Sequence, residues 1–367
     1  MRYVEPYIIF PRKLKSGSVI YYYQYRDETG RRSAMYSTGC KNLAKAKKYV
    51  HDLYNQNMFQ TSSNMNFGTF AKNFFSPDSE YCKWREIGNS KIKPETLRRY
   101  NTSLDYQILP FFERMKMNAI TTATIKEWII WCSDKWSAKT INNAQGVLNI
   151  IFDNAVEKKI IRTNPISKQI KYGKIQKKER DLLTVEEIKM IYQSDWKNEM
   201  QKKGFLVAVL TGMREGEICA LDDCHIFDNY FFVEFSLNER YGIGSTKTNV
   251  SRYVPIPEGL NLITDSKFAF YSHSDKNEPM KPHCLYNAFI RKCKSMGIDT
   301  KERGITFHSL RNFFISYLQG ESIPLQKIKA VVGHADDCMT EWYTYWKPEM
   351  FQEVYQAQKK LFELITR

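Results

Sequence analysis

The stretch HSLRNFF (His308–Phe314), followed by VVGHADDCMTEWYTYW (Val331–Trp346), gathers two histidines, an arginine and a tyrosine near the C-terminus. Two stretches upstream extend the set: TGMREGEI (Thr211–Ile218) adds Arg214, and STKTNVSRYVPIP (Ser245–Pro257) adds Lys247. Two arginines, two histidines, a lysine and a tyrosine have the composition of a metal-free phosphoryl-transfer site. Such chemistry needs fixed positive donors on the non-bridging oxygens, groups that move protons, and a nucleophile held in line. Arginine suits the first role because it is always charged and meets phosphate in a bidentate fork. Histidine and lysine suit the second. Tyrosine, with an ordinary pKa of roughly 10, attacks well only from a strongly electropositive site.

Working outward, charge is the next informative property. The 367 residues carry 55 Lys and Arg against 40 Asp and Glu, which points to a polyanionic partner, most simply nucleic acid. The excess is unevenly placed: net +7 over residues 1–65, +6 over 66–170, +4 over 171–180 and −2 over 181–367. The basic surface lies upstream of the chemistry, as if separate modules grip the polyanion while the last one works on it. The eight cysteines form no CxxC pair and no zinc-type Cys/His spacing, so buried free thiols and no metal are expected. No apolar run approaches the ~18 residues a membrane span needs, and no signal-peptide pattern opens the chain, so a cytoplasmic protein with no membrane partner is expected.

The length suits two or three domains. Residues 1–65 read as a β-β-α unit: SVIYYYQYR (Ser18–Arg26), a DETG turn, RRSAMYSTG (Arg31–Gly39), then a helix over Asn42–Gln56. Residues 66–170 are helical in pattern, with helices over Pro94–Phe112, Thr121–Trp136 and Ser137–Ile161. Arg98, Arg99, Lys135 and Lys139 on these helices are candidate phosphate contacts, or an ordinary solvated face. KYGKIQKKER (Lys171–Arg180) reads as a basic linker, with Lys174, Lys177 and Lys178 placed to cross a phosphate backbone. The last domain, 181–367, opens with a capping box at Thr184 and Glu187. It continues through a buried helix over Gly204–Met213, strands over Tyr230–Asn238 and Ser251–Pro257 joined by a loop with Gly242 and Gly244, and four further helices.

These motifs resemble those of the tyrosine recombinases, the phage integrase family, over about residues 180–345. TGMREGEI matches the first arginine box, with Glu217 as the acidic supporting residue. STKTNVSRYVPIP resembles the hairpin that carries the active-site lysine, HSLR matches the HxLR box, VVGH supplies the second histidine, His334, and Tyr343 stands nine residues beyond it. Asn312 and the Tyr345-Trp346 pair depart from the commoner pattern, in which a basic residue and a histidine stand at those places.

The resemblance implies a multidomain fold: a small arm-binding-like domain, an all-α SAM-like core-binding domain, and a mainly α catalytic domain with a small antiparallel sheet. It also implies that Tyr343 attacks the scissile phosphate of double-stranded DNA, giving a 3′-phosphotyrosyl bond and a free 5′-hydroxyl. Arg214 and Arg311 would hold the non-bridging oxygens, His308 would take the tyrosine proton or bond the phosphate, Lys247 would protonate the leaving oxygen, and His334 would donate a further hydrogen bond. No cofactor enters this scheme. The expected partners are core and arm DNA sites, three further copies in a tetramer on DNA, and an accessory DNA-bending or excision factor. The N-terminal unit favours integration and excision of a mobile element over chromosome-dimer resolution. A type IB-like topoisomerase and a DNA-binding repressor or scaffold are the remaining alternatives. The apolar stripe of the C-terminal segment, Phe351, Val354, Tyr355, Leu361, Phe362 and Ile365, suits either its own domain or a neighbouring subunit.

Overall fold

The computed structural model describes residues 6–14, 17–26, 32–55, 65–166, 181–260, 262, 266–333 and 346–367. The chain divides into two compact units, Met1–Gln176 and Lys177–Arg367.

The first unit begins with an antiparallel sheet in the order β1 (Tyr7–Lys13), β2 (Val19–Tyr25), β3 (Tyr36–Ser37). Alternation along β2 turns Tyr23 and Tyr25 onto α1 (Leu43–Asn55), where they form a small core with Val50 and Leu53. The sequence reading has two strands here; YIIFPRK is a third. Pro11 inside it lacks a donor, and β1 accommodates it because it is an edge strand, with Pro11 opposite Tyr21.

Helices α2 (Phe67–Ala71), α3 (Glu80–Ile87), α4 (Pro94–Ser103), α5 (Leu109–Phe112), α6 (Thr122–Ser133) and α7 (Ala138–Glu157) follow around a core that includes Phe67, Phe112, Trp128 and Phe152. The expected single helix Pro94–Phe112 is continuous but widens into a π turn at Leu104–Ile108. Pro110 has no N–H and its ring crowds the carbonyl one turn back, and a π turn absorbs both without breaking the helix. Trp128 then donates its indole N–H to the Gln107 carbonyl at 2.7 Å. Beyond α7, Arg162 donates to the hydroxyls of Tyr23, at 2.8 Å, and of Tyr49, fastening the N-terminal sheet to the helical part of the unit.

In the second unit, Thr184 and Glu187 form the expected capping box at the start of α8 (Val185–Gln193). Helix α9 (Glu199–Thr211) is buried on all sides from Gly204 onward, enclosed by α8, α11 (Pro282–Ser295), α12 (His308–Gly320) and α14 (Gln352–Thr366). The expected strand Tyr230–Asn238 is two strands. β4 (Tyr230–Val233) pairs with β7 (Arg252–Pro255), and β5 (Phe235–Asn238) pairs with β6 (Gly242–Ser245). The segment with Gly242 and Gly244, expected as a loop, is therefore strand β6.

Helix α14 buries Val354, Leu361 and Ile365, with Phe351 just before it, in its own unit. Gln358 in the middle of α14 donates to the carbonyls of Leu210 at 2.8 Å and Pro255 at 2.7 Å, tying this helix to α9 and β7. Cys82, Cys132, Cys219 and Cys293 are buried thiols as expected, whereas Cys224 is exposed. Among the described residues, no helix is long and apolar enough to cross a membrane.

Candidate functional site

Helix α9 ends where Gly212 takes a left-handed conformation, with φ +62°. A side chain there would be strained by the backbone and would lie 2.7 Å from Phe314, so glycine is required. That turn delivers Arg214 to the start of α10 (Glu215–Ile218). Glu217, three residues on, reaches back to accept the Arg214 backbone N–H at 3.0 Å, as the acidic partner of a capping box does, and accepts Nη1 of the same arginine at 2.6 Å. Gly216 lets α10 lie directly on β5: a Cβ at this position would sit 2.7 Å from the Leu237 carbonyl and from Ser236 Oγ.

The Glu217 side chain is wholly buried and serves a second arginine. Arg252 donates Nη2 to Glu217 Oε2 at 2.6 Å and Nε to the Val331 carbonyl at 2.7 Å. Arg214 Nη2 reaches the Gly333 carbonyl at 3.3 Å. Both carbonyls belong to the C-terminal end of α13 (Leu325–Val332), where helix acceptors are left over and the dipole favours cations. Burial, the largest influence on Glu217, pushes its pKa up; Arg252 and Arg214 outweigh it, and the carboxyl is held below its usual value.

Arg311, one turn after His308 on α12, is the third guanidinium. It is 1 % exposed. Its Nη1 donates to the Gly212 carbonyl at 2.9 Å, while Nε and Nη2 are buried without a partner among the described residues. Burial first, then Arg214 and Arg252, push its pKa down to about 9. Three guanidiniums around one carboxylate leave a surplus of positive charge in a largely buried site. Such a site takes up an anion with at least two acceptor oxygens, and phosphate fits.

Of the sequence-predicted residues, Arg214, Glu217 and Arg311 come together here. His308 opens α12 and is exposed. Lys247 stands exposed on the turn between β6 and β7, and among the described residues no hydrogen bond or ion pair joins it to the arginines. His334 and Tyr343 lie outside the described residues, as do Lys174, Lys177 and Lys178. In the first unit, Arg98 forms a bidentate pair with Glu95 at 2.9 and 2.6 Å, and Lys135 lies 3.9 Å over the Trp131 ring. Arg99 and Lys139 are exposed on α4 and α7. Sequence reasoning missed Arg252, although the signal was present. In a strand with period two, Arg252 shares the core face with Val254, and an arginine on a core face needs a buried acceptor. Among the described residues, no group of three or more His, Cys, Asp or Glu could hold a metal ion.

Comparison with known proteins gives this geometry its context. The phage integrase family model matches residues 181–349, and the model of the phage integrase N-terminal SAM-like domain matches residues 81–130. The integrase of Enterobacteria phage 434 is 25% identical over 270 residues, 70% of this chain and 72% of the relative. The prophage ps2 probable integrase of Lactococcus lactis is 22% identical over 367 residues, 90% of this chain and 94% of the relative. Among solved structures, a lambda integrase dimer bound to a COC′ core site matches with a TM-score of 0.59 at 20% identity, over 92% of this chain and 96% of that one. The Tn1549 transposon integrase in complex with transposon right end DNA matches with a TM-score of 0.59 at 20% identity, over 81% of this chain and all of that one. The two family models together take in more than half of the sequence, and the arginine cluster sits inside the longer match. The chain belongs to the phage integrase family and is a site-specific tyrosine recombinase of the integrase type.

Proposed function

We propose that this recombinase integrates and excises a mobile DNA element, and that Arg214 and Arg311 hold the scissile phosphate while Tyr343 attacks it. The observation that carries the reading is Arg311: a fully buried guanidinium with two nitrogens that have no partner among the described residues, beside a second arginine already fixed by Glu217. In line with that geometry, the non-bridging oxygens of a phosphodiester take the places that Nε and Nη2 of Arg311 leave open. Losing one such donor typically costs about 10²–10³ in rate. Tyr343 forms the 3′-phosphotyrosyl bond and the 5′-oxygen leaves, protonated by Lys247. His308 takes the tyrosine proton or bonds the phosphate, and His334 donates to it. A 5′-hydroxyl from another strand reverses the step and completes the exchange, so neither ATP nor a metal ion enters the balance.

The division of labour follows the charge. Residues 1–65 bind arm-type sites, 66–170 bind the core site, the basic linker 171–180 crosses the backbone, and 181–367 cut and rejoin. Lambda integrase has been solved as a tetramer bound to a Holliday junction, which supports a tetramer for this chain. An accessory DNA-bending or excision factor completes the assembly. The test is covalent capture from a pool of randomised duplexes carrying a nick, in which cutting next to the nick releases a short fragment and traps the protein on DNA. The wild-type protein should yield an SDS-resistant adduct in EDTA, Tyr343→Phe none, and Tyr345→Phe an adduct like wild type. Adduct formation by Tyr343→Phe, or an absolute need for Mg²⁺, overturns the proposal.

A further inference from the structure

We propose that Arg252 is a positioning residue of the phosphate site, fixing Glu217, and through it Arg214, against the C-terminal end of α13. This inference rests on the recombinase reading above and adds a residue that the motifs do not contain.

The case starts from what Arg252 cannot do. Its side chain is 6 % exposed, and Nε, Nη1 and Nη2 all point inward, to the Val331 carbonyl and to the two oxygens of Glu217. No face of the guanidinium is left for DNA, so Arg252 acts only through other groups. What it holds is specific. Glu217 carries two oxygens and serves two arginines: Oε2 takes Arg252 at 2.6 Å and the Arg214 N–H at 3.0 Å, and Oε1 takes Arg214 Nη1 at 2.6 Å. Without Arg252, Oε2 loses its charged donor, and the carboxylate is free to turn and take both forks of Arg214. Arg214 would then be drawn away from the phosphate position.

The second attachment is to α13. Val331 and Gly333 offer the leftover carbonyls of that helix, one to Arg252 and one to Arg214. Gly333 has φ +68°, and a Cβ there would sit 3.0 Å from Arg252 Nη1, so the turn is moulded to this guanidinium. His334 is the next residue in the chain. One buried arginine thus binds together strand β7, the first arginine box and the turn that leads to the second histidine. Its own position is fixed by the ladder, in which Arg252 stands opposite Val233 of β4. Lysine could supply the charge, but as a point donor on a flexible stem it cannot span the carboxylate and the Val331 carbonyl together.

The experiment uses the full chain and the duplex captured by the wild-type protein. Single-turnover adduct formation, DNA affinity and Tm are measured for Arg252→Met, Arg252→Lys, Glu217→Gln and the Glu217→Gln/Arg252→Met pair. The expected result is a loss in cleavage rate of about 10²-fold for Arg252→Met and about tenfold for Arg252→Lys, with DNA affinity held within twofold. The double variant should lose little more than the worse single one, because the two residues act as a unit. Wild-type rates in both Arg252 variants overturn the proposal, as do losses that multiply in the double variant, or affinity and Tm falling in step with rate. If Arg252→Met does not fold, Arg252→Lys decides alone, and a wild-type rate in it is fatal. A wild-type protein that forms no adduct sinks the recombinase mechanism instead. In that event the rise in Tm with added sulfate, which needs no strand cutting, tests the anion site by itself: it should be smaller in Arg252→Lys than in wild type, and an equal rise overturns the role given to Arg252.

Discussion

Replacing Arg311 by methionine should abolish cleavage and at the same time make the DNA-free protein more stable. The magnitude follows from the surroundings of the guanidinium. Burial, with Arg214 and Arg252 adding to it, pushes its pKa down to about 9. Measured from arginine's ordinary value, that is a penalty of about 5 kcal/mol on the charged form at neutral pH. The group has a depressed folded pKa and is a base, so the penalty is fully present below about pH 9 and fades as the pH rises towards the ordinary value. Against it stands the hydrogen bond to Gly212, the one Arg311 makes among the described residues, about 1.5–3 kcal/mol for a charged donor. Methionine fills similar space and buries no polar atom, so a net gain of about 2–3 kcal/mol is expected, in line with other replacements of buried ions by apolar side chains. For a unit of this size each kcal/mol moves Tm by about 2–4 °C, which gives a rise of roughly 4–12 °C.

The assay is thermal unfolding of wild type and Arg311→Met without DNA, repeated with added sulfate. Sulfate should raise the wild-type Tm by binding the native state and should raise that of the variant less, because the site it fills is gone. Above pH 9 the advantage of the variant should shrink. A Tm at or below the wild-type value would refute the reasoning, because it would mean that Arg311 is satisfied in the free protein and stores no repulsion for a phosphate to relieve.

Three further outcomes follow from the same geometry. Gly216→Ala should cost about 1–3 kcal/mol in chemical denaturation and at least about tenfold in adduct formation, because its methyl would lift α10 off β5; unchanged values would mean that β5 yields instead. Glu217→Gln should lose about 3–5 kcal/mol at pH 7 by leaving two buried guanidiniums without their anion. Because the Glu217 pKa is lowered on folding, its contribution is present above about pH 4.3 and disappears on acidification, so wild type and variant should converge in urea titrations as the pH falls; a gap that widens in acid contradicts the pairing. Arg162→Ala should leave the helical core intact by circular dichroism while speeding proteolysis between the N-terminal sheet and α2, because it removes the donor to Tyr23 and Tyr49; equal digestion rates would show that apolar contact alone holds the sheet.

How far the sequence carries the reading depends on the range of the interaction that decides each feature. The Thr184–Glu187 capping box and the turn at Gly212 are settled within four residues, and both are legible from residue type alone. In the run Tyr230–Asn238 the apolar residues Phe231, Val233, Phe235 and Leu237 keep one period-two phase across Glu234, so the periodicity holds no sign that β4 and β5 take different partners; that choice is made by β6 and β7 further along the chain. YIIFPRK is hidden by Pro11 for a related reason, since a proline argues against a strand until the sheet order makes that strand an edge. The site divides along the same line. Arg214, Glu217 and Arg311 sit in local motifs, whereas Arg252 earns its role from a carboxylate 35 residues before it and a carbonyl 79 residues after it. Strand alternation turns Arg252 towards the core but cannot name the acceptor that makes burial tolerable. A buried arginine on the core face of a strand is therefore itself a readable signal: it requires a buried anion, and Glu217, the acidic residue of TGMREGEI, supplies one.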